Sequence, residues 1–159
     1  MNEDLNDLPH WDDSLDEHDA EGEAWKIHST RAACKALYEQ WGTIINMLKG
    51  GLPSDGEEVE SHASFHHEML LGDAYEVAAK IRSSEAGGIY VVRMENACII
   101  RKNAQFIQSS LLVSILDGDI DKEYGMLIRK EIDIFKELFK IWVNSFERDE
   151  FIDEWGLFV

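Results

Sequence analysis

The sequence predicts an all-α protein: an up-down-up-down antiparallel four-helix bundle with an acidic N-terminal leader and a short apolar C-terminal tail. Three observations lead to this fold class. Apolar residues recur at helical intervals over four long segments. Glycine-containing turns separate these segments, and short turns make consecutive helices antiparallel neighbours. No segment of comparable length shows the alternation of apolar and polar residues that is typical of a strand.

The first helix is predicted over residues 15–49. Ser14 and Glu17 form a capping-box pair, in which the hydroxyl accepts from an early backbone N–H and the carboxylate reaches back. A Gly-Gly pair followed by Pro53 ends the helix, because Gly adopts the left-handed cap conformation and Pro cannot continue a helix. The residues predicted to form its buried face are Ile27, Cys34, Leu37, Tyr38, Trp41, Ile44, Ile45 and Leu48.

Similar signals bound the other three helices. A second capping box, Ser54 with Glu57, opens the second helix, and Gly87-Gly88 closes it. Asp117-Gly118-Asp119 supplies a terminal glycine for the third helix and an N-cap for the fourth. The predicted ranges are about 55–86, 89–117 and 120–148.

The chain length suits one domain, because 159 residues can bury roughly 68–70% of the unfolded surface in a single core. Residues 15–149 are therefore assigned to the bundle. Residues 1–14 form a leader that we expect to be mobile, since its charge density opposes burial. Residues 150–159 form a tail expected to pack on the bundle or on a partner. Apolar residues in both ends, such as Trp11, also allow either end to fold back onto the bundle.

Charge restricts the classes of partner. The chain holds 32 acidic and 15 basic residues, a formal net charge of −17 that repels phosphate backbones and anionic lipid surfaces. We therefore expect neither nucleic acid nor a membrane as a partner. No apolar run approaches the roughly 18 residues of a membrane span, and an acidic start is the opposite of a signal peptide. Cytoplasmic residence follows as the expectation.

Cysteine and histidine give no strong sign of a metal site. Cys34 and Cys98 lie in apolar helical segments without CxxC spacing, so buried reduced thiols are expected. His62 and His66 share a helical face, but Ala63 stands where a metalloprotease motif needs Glu. His67 points about 100° away from His66 and is expected to be solvated. No Glu-x-x-His pair of the di-iron bundles occurs, and we predict no metal and no cofactor.

A polar layer is predicted in the middle of the bundle. Turn centres near residues 53, 87 and 118 place residue 73 at the level of residues 33, 101 and 135. Arg101 should then pair with Asp73 or Glu131, because burying an unpaired charge costs several kcal/mol. The candidate ligand-binding residues of these middle layers are Arg31, His66, Asp73, Arg93, Arg101, Asn103 and Glu131.

Two interpretations of this layer stay open. In the first, it is a hydrogen-bonded network that fixes the register of the helices. In the second, it lines a pocket in which the arginines hold an anion and the carboxylates orient it. Under both interpretations, Arg101→Ala leaves a buried carboxylate unpaired and should lower the free energy of unfolding by about 3–5 kcal/mol.

Catalytic signatures are absent from the sequence. There is no Gly-rich phosphate loop, no G-x-S-x-G elbow and no Cys with a His that the helical register brings to it, so no catalytic residue is predicted. The preferred function is an interaction or scaffolding protein that binds a protein partner or forms a homodimer through apolar surface. The alternative is a small-molecule (anion) binding protein or an enzyme with its site in the polar layer.

Overall fold

The computed structural model describes residues 8–11, 24–51, 62–85 and 88–158. In the first helix the side chains are described from residue 29 onward, and in the second from residue 65 onward. The helices are α1 (Ala24–Gly50), α2 (His62–Ser83), α3 (Tyr90–Asp117) and α4 (Lys122–Asn144). Each packs against its neighbour in the chain, and α1 also packs against α4. This arrangement confirms the predicted all-α antiparallel four-helix bundle.

The core is built on three large aromatic residues. Trp41, Phe135 and Trp142 are fully buried, or nearly so. The ring centroids of Trp41 and Phe135 lie 4.5 Å apart, and the Trp41 indole N–H donates to the Ala74 carbonyl at 2.7 Å. The ring contact joins α1 to α4, and the hydrogen bond, which gives the buried indole N–H a partner, joins α1 to α2. Three helices therefore meet at one level of the bundle.

The turn between α3 and α4 follows the predicted chemistry with one change. Gly118 has a φ of 80°, the left-handed conformation that glycine adopts without strain. Its backbone N–H donates to the carbonyls of Ile115 and Ser114. The N-cap of α4 is Asp121, whose carboxylate accepts from the Tyr124 N–H at 3.0 Å. The prediction of Asp119 as the cap is wrong because α4 begins two residues later than predicted.

The register between α1 and α2 differs from the predicted one. Three contacts agree on it: Cys34 with Ile81, Trp41 with Ala74, and Leu48 with His67. Residue 73 thus lies near residue 42, nine residues from the predicted level at 33, or about 13 Å along the helix. In each of these three contacts the two residue numbers average to between 57 and 58, whereas the predicted register was centred on residue 53. The predicted start of the second helix at 55 lies outside the described residues.

The two ends of the chain behave differently. Leu8 and Trp11 pack against the core, and the Tyr38 hydroxyl donates to the Pro9 carbonyl at 2.8 Å. Residues 8–11 thus fold back on α1, while the rest of the leader lies outside the described residues and its mobility stays a prediction. In the tail, the Tyr90 N–H donates to Asp149 at 2.7 Å, but the side chain of Trp155 is 90% exposed.

Charge is divided unevenly between the helices and the rest of the chain. Fourteen of the basic and ten of the acidic residues lie within the four helices, which therefore carry a net charge of +4. The remaining residues hold one basic and 22 acidic side chains, a net charge of −21. The excess of acidic residues thus lies outside the four described helices. Within the described residues, no helix has the length and hydropathy needed to cross a membrane.

Candidate functional site

The predicted polar layer does not assemble in the middle of the bundle. Arg101 is exposed, and no ion pair within the described residues joins it to Asp73 or Glu131. The prediction of a buried Arg101 is wrong because the residue follows Ile100, which is fully buried, and one step along a helix turns the side chain by about 100°. Asp73 is half-buried on α2.

Two of the candidate residues instead join helix pairs at their outer edges. The amide of Asn103 donates to a Glu76 carboxylate oxygen at 2.7 Å, linking α3 to α2. Glu131 accepts from the Gln40 amide at 2.7 Å, linking α4 to α1. The sequence reasoning missed Gln40 and Glu76, because only the register between helices brings them opposite their partners. These hydrogen bonds suit the register-fixing interpretation.

Arg31 and Arg93 lie at the end of the bundle where α1 begins. The Arg93 Nε–H donates to the Ser84 carbonyl at 3.2 Å, and an Nη atom lies 4.0 Å from a Glu85 carboxylate oxygen. The guanidinium carbon of Arg93 stands 5.8 Å from the ring centroid of Phe146, within range of a cation–π interaction. The Glu85 carboxylate is thus the anionic partner of Arg93 within the chain, and the sequence analysis did not predict this pair.

Cys34 lies within the electrostatic reach of the same groups. Burial raises the pKa of the Cys34 thiol far above its ordinary value, and the Glu85 carboxylate raises it further. The positive charges of Arg93 and Arg31 oppose that rise in pKa. The thiol is therefore protonated and donates weakly to the Ile81 carbonyl at 3.6 Å, so it is not a nucleophile. Cys34 is buried and Cys98 half-buried, and both are free.

His66 lies at the opposite end of the bundle, in a cavity of about 220 Å³. Its Nε2 atom is buried and has no hydrogen-bond partner in the described part of the chain. The cavity lies between α2, α3 and the turn before α4. The residues that line it are His66, His67, Leu70, Leu111, Ser114, Asp119 and Ile120.

His67 differs from its prediction. It is half-buried, and its Nε2 atom lies 2.9 Å from the Leu48 carbonyl. Burial lowers the pKa of His67, and the neutral ring can still donate its N–H to that carbonyl. The expectation of a solvated His67 is wrong because the shifted register brings the end of α1 alongside it. Among the described residues, no group of three or more His, Cys, Asp or Glu residues is placed to hold a metal ion.

An apolar surface extends over the outer side of α2 and α3. It consists of Phe65 and Met69 on α2 with Phe106 and Val113 on α3, all exposed, and is called the α2–α3 face below. The hydrogen bond from Asn103 to Glu76 sets the register, which places Met69 at the level of residue 110 and Phe65 at the level of residue 114. The four exposed side chains therefore lie at neighbouring levels of two adjacent helices.

Gly72 interrupts the α2 edge of this face. A Cβ atom at Gly72 would meet nothing within 4 Å, so the packing of the described chain does not require a glycine there. A glycine inside a helix costs about 1 kcal/mol relative to alanine. Gly72 leaves a shallow depression beside Met69.

A second apolar surface lies on α4. Leu127, Ile134 and Ile141 are seven residues apart and are 47%, 45% and 58% exposed; they are called the α4 stripe below. Each stripe residue directly precedes a core residue, as Leu127 precedes Ile128 and Ile134 precedes Phe135, so the stripe is turned by about 100° from the core side of α4.

The α2–α3 face, the α4 stripe and the His66 cavity are thus left uncovered by the described residues. The interpretation of each depends on this chain alone, because no protein-family model, no curated protein and no solved structure matches it.

Proposed function

We propose that this protein is a non-catalytic, cytoplasmic interaction protein whose α2–α3 face binds an amphipathic helix of a partner protein. The observation that carries the proposal is a set of four large apolar side chains exposed at neighbouring levels of α2 and α3: Phe65, Met69, Phe106 and Val113. Contiguous apolar patches on a protein surface are typical of interaction sites. The two free cysteines suit a reducing compartment.

The geometry of the face favours a helix as the bound element. The outer side of two adjacent antiparallel helices forms a groove, and an amphipathic helix can place apolar residues at i, i+3, i+4 and i+7 into it. The depression at Gly72 lets the bound backbone approach α2 closely. Aromatic anchors such as Phe65 and Phe106 often supply most of the binding energy at such sites.

The charges around the face define the chemistry of the partner. Over the levels that the face spans, residues 65–76 of α2 and 103–114 of α3, the residues with a formal charge are Glu68, Asp73 and Glu76, all acidic. The exposed basic residues of the two helices, Arg82, Arg101 and Lys102, lie beyond this span. Oppositely charged side chains at the edge of an interface increase the association rate and exclude wrong partners. We therefore propose a partner helix whose apolar side is flanked by Lys and Arg.

Site-specific photocrosslinking tests the proposal. A benzoylphenylalanine at Met69 or Val113 should form adducts with another protein in the cells that make this chain, whereas the same group at the exposed Lys136 should not. Mass spectrometry should identify the cross-linked segment as an amphipathic helix with flanking Lys or Arg. Phe106→Asp should remove the adducts while circular dichroism stays unchanged. Adducts to an acidic or non-amphipathic segment, or none that depend on Phe106, would contradict the proposal.

A second candidate function is the binding of a small molecule in the His66 cavity. The observation in its favour is the buried, unpartnered Nε2 atom of His66 beside Ser114 and Asp119. Unsatisfied buried polar atoms are uncommon and often mark a bound ligand or water. This candidate ranks second because the cavity volume of about 220 Å³ is smaller than the roughly 300–1,000 Å³ of most ligand sites.

The cavity is tested by titrating the protein with small amines and alcohols while following the His66 ring by NMR. Saturable shifts at His66 that disappear in Leu111→Phe, which fills the cavity, would support the site. Shifts that persist in that variant would show that these compounds bind elsewhere.

A further inference from the structure

The α4 stripe gives α4 two apolar sides. Its inner side supplies Ile128, Phe135 and Trp142 to the core, and its outer side presents Leu127, Ile134 and Ile141 to solvent. A strict seven-residue spacing is the period of a helix seam that packs against another helix. Within the part of the chain that the structure describes, no element covers the α4 stripe.

Charge explains why this surface suits a second copy of the same chain. Two molecules that each carry a net charge of −17 repel one another over most of their surfaces. Helix α4 holds five basic and four acidic residues, a net charge of +1. Two copies that meet through α4 therefore bring together nearly neutral surfaces.

The flanking charges set the direction of the pairing. Lys130 and Glu137 are exposed, seven residues apart, and lie on the same flank of the stripe. Glu137 also forms an exposed ion pair with Lys140 of its own helix at 2.7 Å, which the contact with a second copy has to share or replace. When two identical helices pair antiparallel about a two-fold axis, each flank meets the same flank of the other copy. An axis between Asp133 and Ile134 then places Lys130 opposite Glu137 of the second copy, and the symmetry repeats this ion pair.

Helix α1 leaves room for this approach. It borders the stripe through the hydrogen bond between Gln40 and Glu131. One turn to either side of Gln40, the outer positions are the small residues Ala36 and Thr43. Small side chains at these positions allow the usual 8–10 Å between packed helix axes.

We infer that two copies of this chain associate through their α4 stripes, antiparallel about a two-fold axis between Asp133 and Ile134, with Lys130 of each copy paired to Glu137 of the other. This contact uses a different surface from the α2–α3 face and does not depend on the proposed function.

Sedimentation equilibrium of the full chain tests the contact and its charges. The apparent mass should double from 18.2 kDa as concentration rises. Lys130→Glu and Glu137→Lys should each weaken the dimer by about 10-fold or more, since two ion pairs become two repulsions. The double swap K130E/E137K should restore it. Lys136→Glu, on another side of α4, and Phe106→Asp, on the α2–α3 face, should leave the mass unchanged.

Engineered cysteines test the direction independently of those charges. In a Cys98→Ser background, Ile134→Cys should give a disulfide-linked dimer on mild oxidation, because the axis passes beside residue 134. Leu127→Cys should not, since antiparallel pairing holds the two copies of residue 127 about 20 Å apart. A mass that stays at 18.2 kDa at every concentration, a double swap that fails to restore the dimer, or equal cross-linking at 127 and 134 would overturn the inference.

Discussion

Helices α1 and α3 are nearly equal in length but use their apolar residues differently. Among the described side chains, α1 leaves no large apolar residue exposed. Helix α3 exposes five, and Leu116 reaches 77%. The exposed residues of α3 are Val92, Phe106, Leu112, Val113 and Leu116.

The difference teaches how much of a helical apolar pattern the fold explains. In α1 the core accounts for the large apolar side chains described. In α3 the core takes residues such as Ile100 and Ile107 and leaves a second set outside. A helix that is apolar on more than one side is normally buried on more than one side. The core formed by the described residues does not account for this excess on α3, and part of it, Phe106 and Val113, belongs to the face that we propose binds a partner.

The largest expected effect is the loss of the α1 contribution to the core. Trp41→Ala should lower the free energy of unfolding by about 3–5 kcal/mol, because it leaves a cavity against Phe135. Phe106→Ala on α3 removes a large exposed ring and should cost under about 1 kcal/mol. Urea denaturation of both variants measures the difference. Similar losses at the two positions would remove the contrast between the helices.

Two glycines sharpen the comparison between the inside and the outside of the bundle. A Cβ at Gly125 would lie 2.6 Å from an Ile115 side-chain carbon, so Gly125→Ala should cost about 1–3 kcal/mol. Gly72→Ala meets nothing within 4 Å and should stabilise by up to about 1 kcal/mol. Thermal denaturation of the pair should give shifts of opposite sign, and a loss at Gly72 would show that something in this chain occupies the depression.

Arg101 should behave as a surface residue of α3. Because its side chain is exposed, Arg101→Ala should cost under about 1 kcal/mol, instead of the 3–5 kcal/mol that the sequence predicted. Lys136→Ala on α4 is the matched control, since Lys136 is exposed and 3.4 Å from Asp133. A loss at Arg101 well above that control would place it in a buried pair after all.

The smallest expected effect is the pH dependence due to His67, which contacts the end of α1. Its pKa in the folded protein is lowered from 6.5 by burial, so the unfolded chain binds the proton more readily. The contribution to stability is complete above pH 6.5 and is lost as pH falls below it. His67→Gln keeps an N–H donor without titrating. Urea midpoints at about pH 7.5 and about pH 5.5 should therefore fall less in the variant than in the parent.

The sequence predicted the fold well and the candidate site poorly, for physical reasons. Helical spacing identified the buried face of α1, where the predicted residues from Cys34 to Leu48 are all buried. Helix α3 begins at Tyr90, one residue from its predicted start. Spacing does not determine the register between helices, which depends on the connections. The error in the α1–α2 register moved Arg31 away from the level of Asp73. Arg101 was placed too close to the core because its neighbour Ile100 is buried.

Apolar excess on α3 and α4 was equally hard to predict. The repeat of Leu127, Ile134 and Ile141 is visible in the sequence, but it looks the same as a core repeat until another set of residues is known to fill the core. In this chain Ile128, Ile132 and Phe135 are the α4 residues that do so.

The exposed indole of Trp155 has a spectroscopic consequence. Among the described tryptophans, Trp41 and Trp142 are fully buried, whereas Trp155 is 90% exposed. An indole in water emits at longer wavelength than a buried one and is open to collisional quenchers, so Trp155 should be the most readily quenched of these. Any molecule that covers the tail should therefore shift the emission to shorter wavelength and protect it from acrylamide, and no attached dye is needed to detect the event.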